Sequence, residues 1–214
     1  MTTMTTKTAR AITRRKVLYT FLGLGGAFLG GGALGLRWPG RSAEAGAPLP
    51  LTPVCDDGDP TPSVTEGPFY IPNTPRRTVL REAGTVGAPL VIQGRVLTPD
   101  CRPIAGAVLD FWSCDGNGVY DTRGFKLRGH QLTDESGAFR VETVKPAGYT
   151  DGGIRRTPHV HVRVQGRGTR LLTTQLFVPG EAGNARDFYM RDSLLLKVTK
   201  SGGGLVGRFD FVLA

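Results

Sequence analysis

Arg155-Arg156-Thr157-Pro158-His159-Val160-His161-Val162-Arg163-Val164-Gln165 is the stretch from which the fold can be read. On a strand, side chains two apart share a face. Val160, Val162 and Val164 then line one face, and His159 and His161 stand side by side on the other. Valines at alternate positions are what a strand half-buried against a core requires. The paired imidazoles could chelate a metal, since imidazole is the commonest protein metal ligand. Two polar residues on the solvent face of a strand is the plain alternative for a bare His-x-His.

Working outward, short alternating segments lie between turn clusters. Strands are expected at 90–97, 107–113, 131–133, 138–144, 159–165, 170–178, 194–199 and 205–213. Turns fall at Asp115-Gly116-Asn117-Gly118 and Asp134-Glu135-Ser136-Gly137. Residues 184–189 are expected as a short helix or an irregular loop. Helical periodicity is scarce, and Gly (31) and Pro (15) are abundant. The expected fold is all-β, a β-sandwich of mainly antiparallel strands with an extended N-terminal arm. The arm is assigned to 46–86 and the sandwich to 87–214. Within the arm, Phe69 and Tyr70 must bury against the body if the segment is to stay ordered. Packing alone explains them; lining a pocket is the sharper reading.

Residues 1–45 read as a targeting segment. Thr13-Arg14-Arg15-Lys16-Val17-Leu18 puts paired arginines before an uncharged run, 17–36. This resembles a twin-arginine export signal, and Ala43-Glu44-Ala45 is a small-x-small cleavage site. The expectation is an exported protein, periplasmic or extracellular, touching a membrane only through an uncleaved leader. A membrane anchor is the competing reading, weakened by five glycines between Gly23 and Gly31. The leader carries seven of the 27 Lys+Arg and one of the 18 Asp+Glu, so the rest has 20 basic and 17 acidic residues, net +3. The basic excess is mostly the address, and no basic stripe with interleaved aromatics suggests nucleic acid. Outside the cytoplasm Cys55 and Cys101, both in turn-like stretches, are the expected disulfide. Cys114, beside Trp112, is the expected lone buried thiol.

Two tyrosines leave strands at loops: Tyr120 after the Asp115–Gly118 turn, and Tyr149 after Pro146-Ala147-Gly148. Singly, each is an ordinary loop tyrosine. With His159 and His161 they make a set of two nitrogens and two oxygens. Zinc sites use Cys, His and carboxylate, whereas two phenolates and two imidazoles suit a hard trivalent ion, Fe3+. Fe3+ with two phenolates and one hydroxide is neutral and can be buried without a large penalty. A catechol dianion displacing one tyrosinate and the hydroxide keeps it neutral, and the displaced groups can accept the two catechol protons.

Gly118-Val119-Tyr120, Pro146-Ala147-Gly148-Tyr149, Arg156-Thr157-Pro158-His159-Val160-His161 and Thr173-Thr174-Gln175-Leu176 resemble, in order and spacing, the intradiol ring-cleavage dioxygenases. Glu66-Gly67-Pro68-Phe69-Tyr70 resembles that family's first motif. The resemblance covers about 60–190. It implies that Tyr120, Tyr149, His159 and His161 ligate iron and that Tyr149 is released when substrate binds. It also implies that Arg156 stabilises charge developing on the substrate. Gln175 becomes a pocket residue or one behind the ligands. The implied partners are a catechol-type small molecule and O2, and the implied product a muconate-type diacid. The helical N-terminal dimerisation region of the catechol-type members has no counterpart in this reading, so their dimer mode is not expected here, although a homo-oligomer is compatible with the sequence. His130 lies outside the ligand motifs and reads as structural. Arg123, Lys126 and Arg128 read as a solvated basic loop, with carboxylate binding as the alternative. Gly94-Arg95-Val96-Leu97 and the Pro103–Val108 segment also resemble transthyretin-like modules, which do no chemistry. The ligand quartet with Arg156 separates the two readings.

Overall fold

The computed structural model describes residues 58–214. The expected leader at 1–45, the first part of the arm and Cys55 lie outside the described residues.

Two sheets pack face to face. In the first, β1 (Pro89–Leu97) is central. β4 (Ala138–Val144) pairs antiparallel along one side. Along the other, β10 (Gly204–Arg208) and then β11 (Phe211–Val212) run parallel to it, with β9 (Lys197–Ser201) outside β10. The second sheet is antiparallel throughout, in the order β3 (Arg128–Leu132), β2 (Val108–Trp112), β7 (His159–Gln165), β8 (Leu172–Phe177). A separate hairpin joins β5 (Tyr149–Asp151) to β6 (Ile154–Arg156). Most pairings are antiparallel, as expected; the two parallel contacts of β1 are the exception.

The core lies between the sheets. Leu90, Ile92, Val96, Leu109, Phe111, Val160, Val162, Val164 and Leu176 form it, with Phe139 and Phe211. Each such side chain contributes about 1.5–3 kcal/mol when fully buried. Three inward valines on β7 therefore fix its register, because a one-residue slip would turn both histidines into the core. His159 and His161 consequently stand on the outer face of the second sheet. So do Trp112 and Arg128, their neighbours across β2 and β3, and Gln175 on β8.

Two expected strands are corrected. The segment at 205–213 divides at Phe209-Asp210. There the Asp210 carboxylate accepts the Arg95 N–H (2.7 Å) in place of a ladder partner. The backbone passes so close to Gly94 that a Cβ there would lie 1.7 Å from the Phe209 carbonyl oxygen. The segment at 194–199 begins instead as a 3-10 turn, Asp192–Leu194, which buries Leu194 before β9 starts. Residues 184–189 contain one 3-10 turn, Asn184–Arg186.

The arm is a strap across the outer face of the second sheet. Val64 N–H donates to the Thr173 carbonyl on β8 (2.8 Å). The Tyr70 hydroxyl and the Thr74 hydroxyl donate to opposite oxygens of Asp110 on β2 (3.1 and 2.7 Å). Thr74 also holds His130 on β3, whose Nδ1 lies 2.8 Å from the Thr74 carbonyl. His130 is thus a structural anchor for the strap. Cys114 is buried and free, and Cys101 is disulfide-bonded. No helix among the described residues is long and apolar enough to cross a membrane.

Candidate metal centre

The four side chains singled out in the sequence converge under the strap. His159 Nε2 lies 3.1 Å from His161 Nε2 and 3.4 Å from the Tyr149 hydroxyl. The Tyr120 ring meets Tyr149 edge-on, with centroids 5.2 Å apart, and stands 6.3 Å from the His161 ring. β7 delivers both histidines, the loop after β2 delivers Tyr120, and the first residue of β5 is Tyr149. The β5–β6 hairpin was expected only as a loop. Its turn, Asp151-Gly152-Gly153-Ile154, has positive φ at both glycines (53° and 84°), as a type I′ hairpin needs. Gly-Gly between two short extended segments was the available signal. The hairpin pairs Tyr149 with Arg156 and so brings two functional residues together.

The polar groups of this cluster are of the kind that suits a bound cation. His159 Nδ1 donates to the Thr157 carbonyl (2.6 Å), which fixes the tautomer and leaves Nε2 with a lone pair turned to the cluster. Tyr120 Oη is buried without a hydrogen-bond partner, although the two phenols sense each other electrostatically. Burial holds His159 down to about 4, helped by the Arg156 charge. His161 lies well below the ordinary value through burial, then the His159 and Arg156 charges. Burial, followed by the neighbouring phenol, pushes Tyr120 far above its usual range, and burial also raises Tyr149. Surrounded by protein alone, all four groups are neutral at pH 7; a bound cation reverses that preference for the phenols. Ligand atoms on a common first-row ion at about 2.1 Å stand about 3–3.4 Å apart, and the separations here fall in that range. Among the described residues no three His, Cys, Asp or Glu side chains gather where a metal could sit. The donors that stand beside the histidine pair are phenols, a set that fits a ferric ion better than zinc.

The surroundings are aromatic. Phe69 stacks on Tyr120 (4.3 Å, 16°) and lies edge-on to Tyr149 (5.9 Å). It lines the cluster, whereas Tyr70 packs on Trp112 (4.9 Å). Trp112 stacks in turn on His161 (4.8 Å, 11°). Gly67 lies against the same imidazole, where a Cβ would come within 3.4 Å of Cε1. Cys114 lies close to both phenols, and burial pushes its thiol up to about 12, which keeps it neutral and a poor nucleophile.

Arg156 is buried beside the ligands. Its Nη2 donates to Gln175 Oε1 (2.5 Å), and Gln175 Nε2 donates to the Thr65 carbonyl of the strap (2.9 Å). Three partners escaped the sequence. Asp187 accepts from Arg156 Nε (3.0 Å), Tyr189 presents its ring to the guanidinium (4.7 Å), and Asn184 accepts from the Thr157 hydroxyl (2.7 Å). All three come from 184–189, where no periodicity marks them. Arg128 departs from its expected place in a solvated loop. It is fully buried, donating through Nε and Nη2 to the Asp121 carbonyl, while Arg123 stays exposed.

This arrangement defines a class: an all-β fold with a tyrosine–histidine cluster and a buried arginine at its edge. The sequence model of the dioxygenase family matches residues 65–214, and the chain belongs to that family. A solved structure, the dioxygenase domain of a dioxygenase–carbohydrate-binding fusion from Streptomyces sp. SirexAA-E, is 45% identical with a TM-score of 0.68. The match covers 72% of this chain and 98% of that one. Catechol 1,2-dioxygenase of Candida albicans is 26% identical over 192 residues, 76% of this chain and 63% of that protein. Hydroxyquinol 1,2-dioxygenase of Nocardioides simplex is 29% identical over 192 residues, 73% of this chain and 66% of that protein. The chain spans about half to two thirds of the length of the curated relatives it matches.

Proposed function

We propose that this protein is an exported, Fe3+-dependent intradiol dioxygenase. It opens the ring of a catechol-type substrate between the two hydroxyl-bearing carbons with O2. Both oxygen atoms end in the product, a muconate-type diacid. The observation that carries this reading is the approach of Tyr149 Oη (3.4 Å) and His161 Nε2 (3.1 Å) to His159 Nε2, with the unpartnered Tyr120 hydroxyl on the ring next to Tyr149. Membership of the dioxygenase family supports the chemistry. The activities named for the catechol and hydroxyquinol relatives support a substrate with adjacent ring hydroxyls.

Tyr120, Tyr149, His159 and His161 would hold the ion. When bound, a ferric ion supplies the positive charge that stabilises the catecholate and prepares it for direct attack by O2. Tyr149 would be the residue that gives way to substrate, its phenolate oxygen accepting one of the two catechol protons and a hydroxide the other. Tyr120, stacked beneath Phe69, keeps its place. Arg156 offers its guanidinium to the ring as carbanion character develops, an electrostatic role that needs the site dry. Phe69 and the strap provide that cover. Gln175 ties the strap to Arg156, so covering the site and orienting the guanidinium are coupled.

Oxygen uptake over a panel of substituted catechols and trihydroxybenzenes tests the reading. Pure protein is expected to be red-brown from tyrosinate-to-Fe3+ charge transfer and to consume one O2 per ring opened. Colourless protein that takes up no iron on ferric reconstitution would overturn it in favour of a binding module. Export is tested separately: the mature N-terminus of secreted material is expected just after Ala45, and retention with an intact leader would refute cleavage there.

A further inference from the structure

Arg156 is fastened at two of its three guanidinium nitrogens. Gln175 Oε1 accepts from Nη2, and Asp187 Oδ2 accepts from Nε at 3.0 Å. Nη1 makes no hydrogen bond to any described residue. Tyr189 lies on one face of the guanidinium plane, 4.7 Å from its carbon. Held at one nitrogen, the head group could pivot about that bond. Held at two, with a ring against its face, it cannot.

Asp187 does more than close an ion pair. Its Oδ2 also accepts the Thr157 N–H at 2.9 Å, and its Oδ1 accepts the Tyr189 N–H at 3.0 Å. Thr157 in turn offers the carbonyl that receives the His159 Nδ1 proton. One carboxylate thereby braces the guanidinium, the ring beneath it and the backbone leading into the histidine. Arg156 and Asp187 are 6% and 7% exposed, so neither bond competes freely with water. The Arg156 and Thr157 hydrogen bonds hold the Asp187 carboxyl below the usual carboxylate range against the opposing effect of burial.

Resting on the reading of this site as a dioxygenase, we infer that Asp187 is a positioning residue for ring cleavage: its carboxylate fixes the direction in which Arg156 presents Nη1 to the substrate. A buried ion pair adds little net stability over apolar replacements, so stability alone is a poor reason for one here. Direction is a better one. A guanidinium at the end of four rotatable bonds sweeps several ångströms unless clamped, and a misplacement of about 1 Å can cost about 100-fold in rate. Placing the carboxylate at Nε neutralises the buried pair while leaving Nη1 without a hydrogen-bond partner among the described residues, free to meet a substrate.

The test is a double-mutant cycle on iron-loaded enzyme, with Asp187→Asn, Asp187→Glu, Arg156→Ala and Arg156→Ala/Asp187→Asn, assayed well below each variant's melting temperature. Asp187→Glu keeps the charge and guards against misfolding in Asp187→Asn. Both are expected to keep iron, the red-brown charge-transfer band and anaerobic catechol affinity within about threefold, while kcat falls about 10–100-fold. In the Arg156→Ala background, Asp187→Asn is expected to have no further effect on kcat. Unchanged kcat in the single variants, or the same fold loss with and without Arg156, overturns the assignment. Loss of iron from both Asp187 variants also overturns it, since Asp187 would then hold the ligand strand and not the guanidinium. If wild-type protein cleaves no catechol, the dioxygenase reading itself falls, and the inference with it.

Discussion

At the scale of single residues, the cluster is a buried set of two imidazoles and two phenols, all neutral at pH 7 when surrounded by protein alone. Tyr120→Phe or His159→Ala should abolish iron binding and ring cleavage together, read by metal analysis and loss of the visible band; full activity in either would refute the ligand assignment. The histidines also set an acid limit on the metal-free protein. His159 is held down to about 4 when folded, against 6.5 ordinarily, and His161 is lowered as well. Between those values the unfolded chain binds more protons than the folded one. Stability is therefore complete above about pH 6.5 and lost as pH falls toward 4, with a slope of up to about 1.4 kcal/mol per pH unit for each histidine. Urea unfolding of metal-free protein from pH 7 to 4 should show this, and His159→Gln should roughly halve the slope. Equal slopes for the two proteins would sink the explanation. That these four side chains cluster was legible in the sequence, because a strand's period puts His159 and His161 on one face and because Tyr120 and Tyr149 sit in dense local motifs. Asp187 was not. A carboxylate in an aperiodic loop carries no mark of the arginine, 31 positions back, that it grips.

At the scale of elements, the strap decides whether the site is covered. It crosses β8, β2 and β3 on the outer face and reaches the core at Leu80. Its tie to β2 is the Asp110 carboxylate, shared by Tyr70 and Thr74. Tyr70→Phe removes one charge-assisted hydrogen bond and leaves the ring on Trp112. The expected cost is about 1–2 kcal/mol in urea unfolding, with iron content unchanged. A larger loss, or loss of iron, would mean that Tyr70 supports the cluster directly. The sequence disclosed that Phe69 and Tyr70 bury, because an aromatic-dense arm must pack. It could not say which one lines the site, since that depends on where each loop ends over the sheet. The β5–β6 hairpin was missed for a related reason. Three-residue strands are too short for alternation to register, and only the Gly-Gly turn betrays them.

At the scale of the whole molecule, the four candidate ligands come from three places: the loop after β2, the separate β5–β6 hairpin, and β7 of the second sheet. The β2–β7 ladder and the Ala147 N–H to Asp115 carbonyl bond (3.0 Å) tie these elements together, alongside the strap and the packing of the rings. A bound ion would join positions 120, 149, 159 and 161 much as a cross-link does, closing loops that otherwise fluctuate independently. The core between the sheets lies on the opposite side of β7 and owes nothing to that ion. Metal removal should consequently lower stability without unfolding the sandwich. Ligand at about 100 times its dissociation constant stabilises the folded state by about 2.7 kcal/mol, and for a domain of this size each kcal/mol shifts the melting temperature by about 2–4 °C. Reductive chelation of iron is thus expected to lower the melting temperature by roughly 5–10 °C while the far-ultraviolet dichroism of the β-sandwich persists. His159→Ala should start near the chelated value and show no shift on chelation. A wild-type melting temperature indifferent to iron would mean that the four side chains meet without being joined. Collapse of the dichroism on chelation would mean that the two-sheet core cannot stand alone.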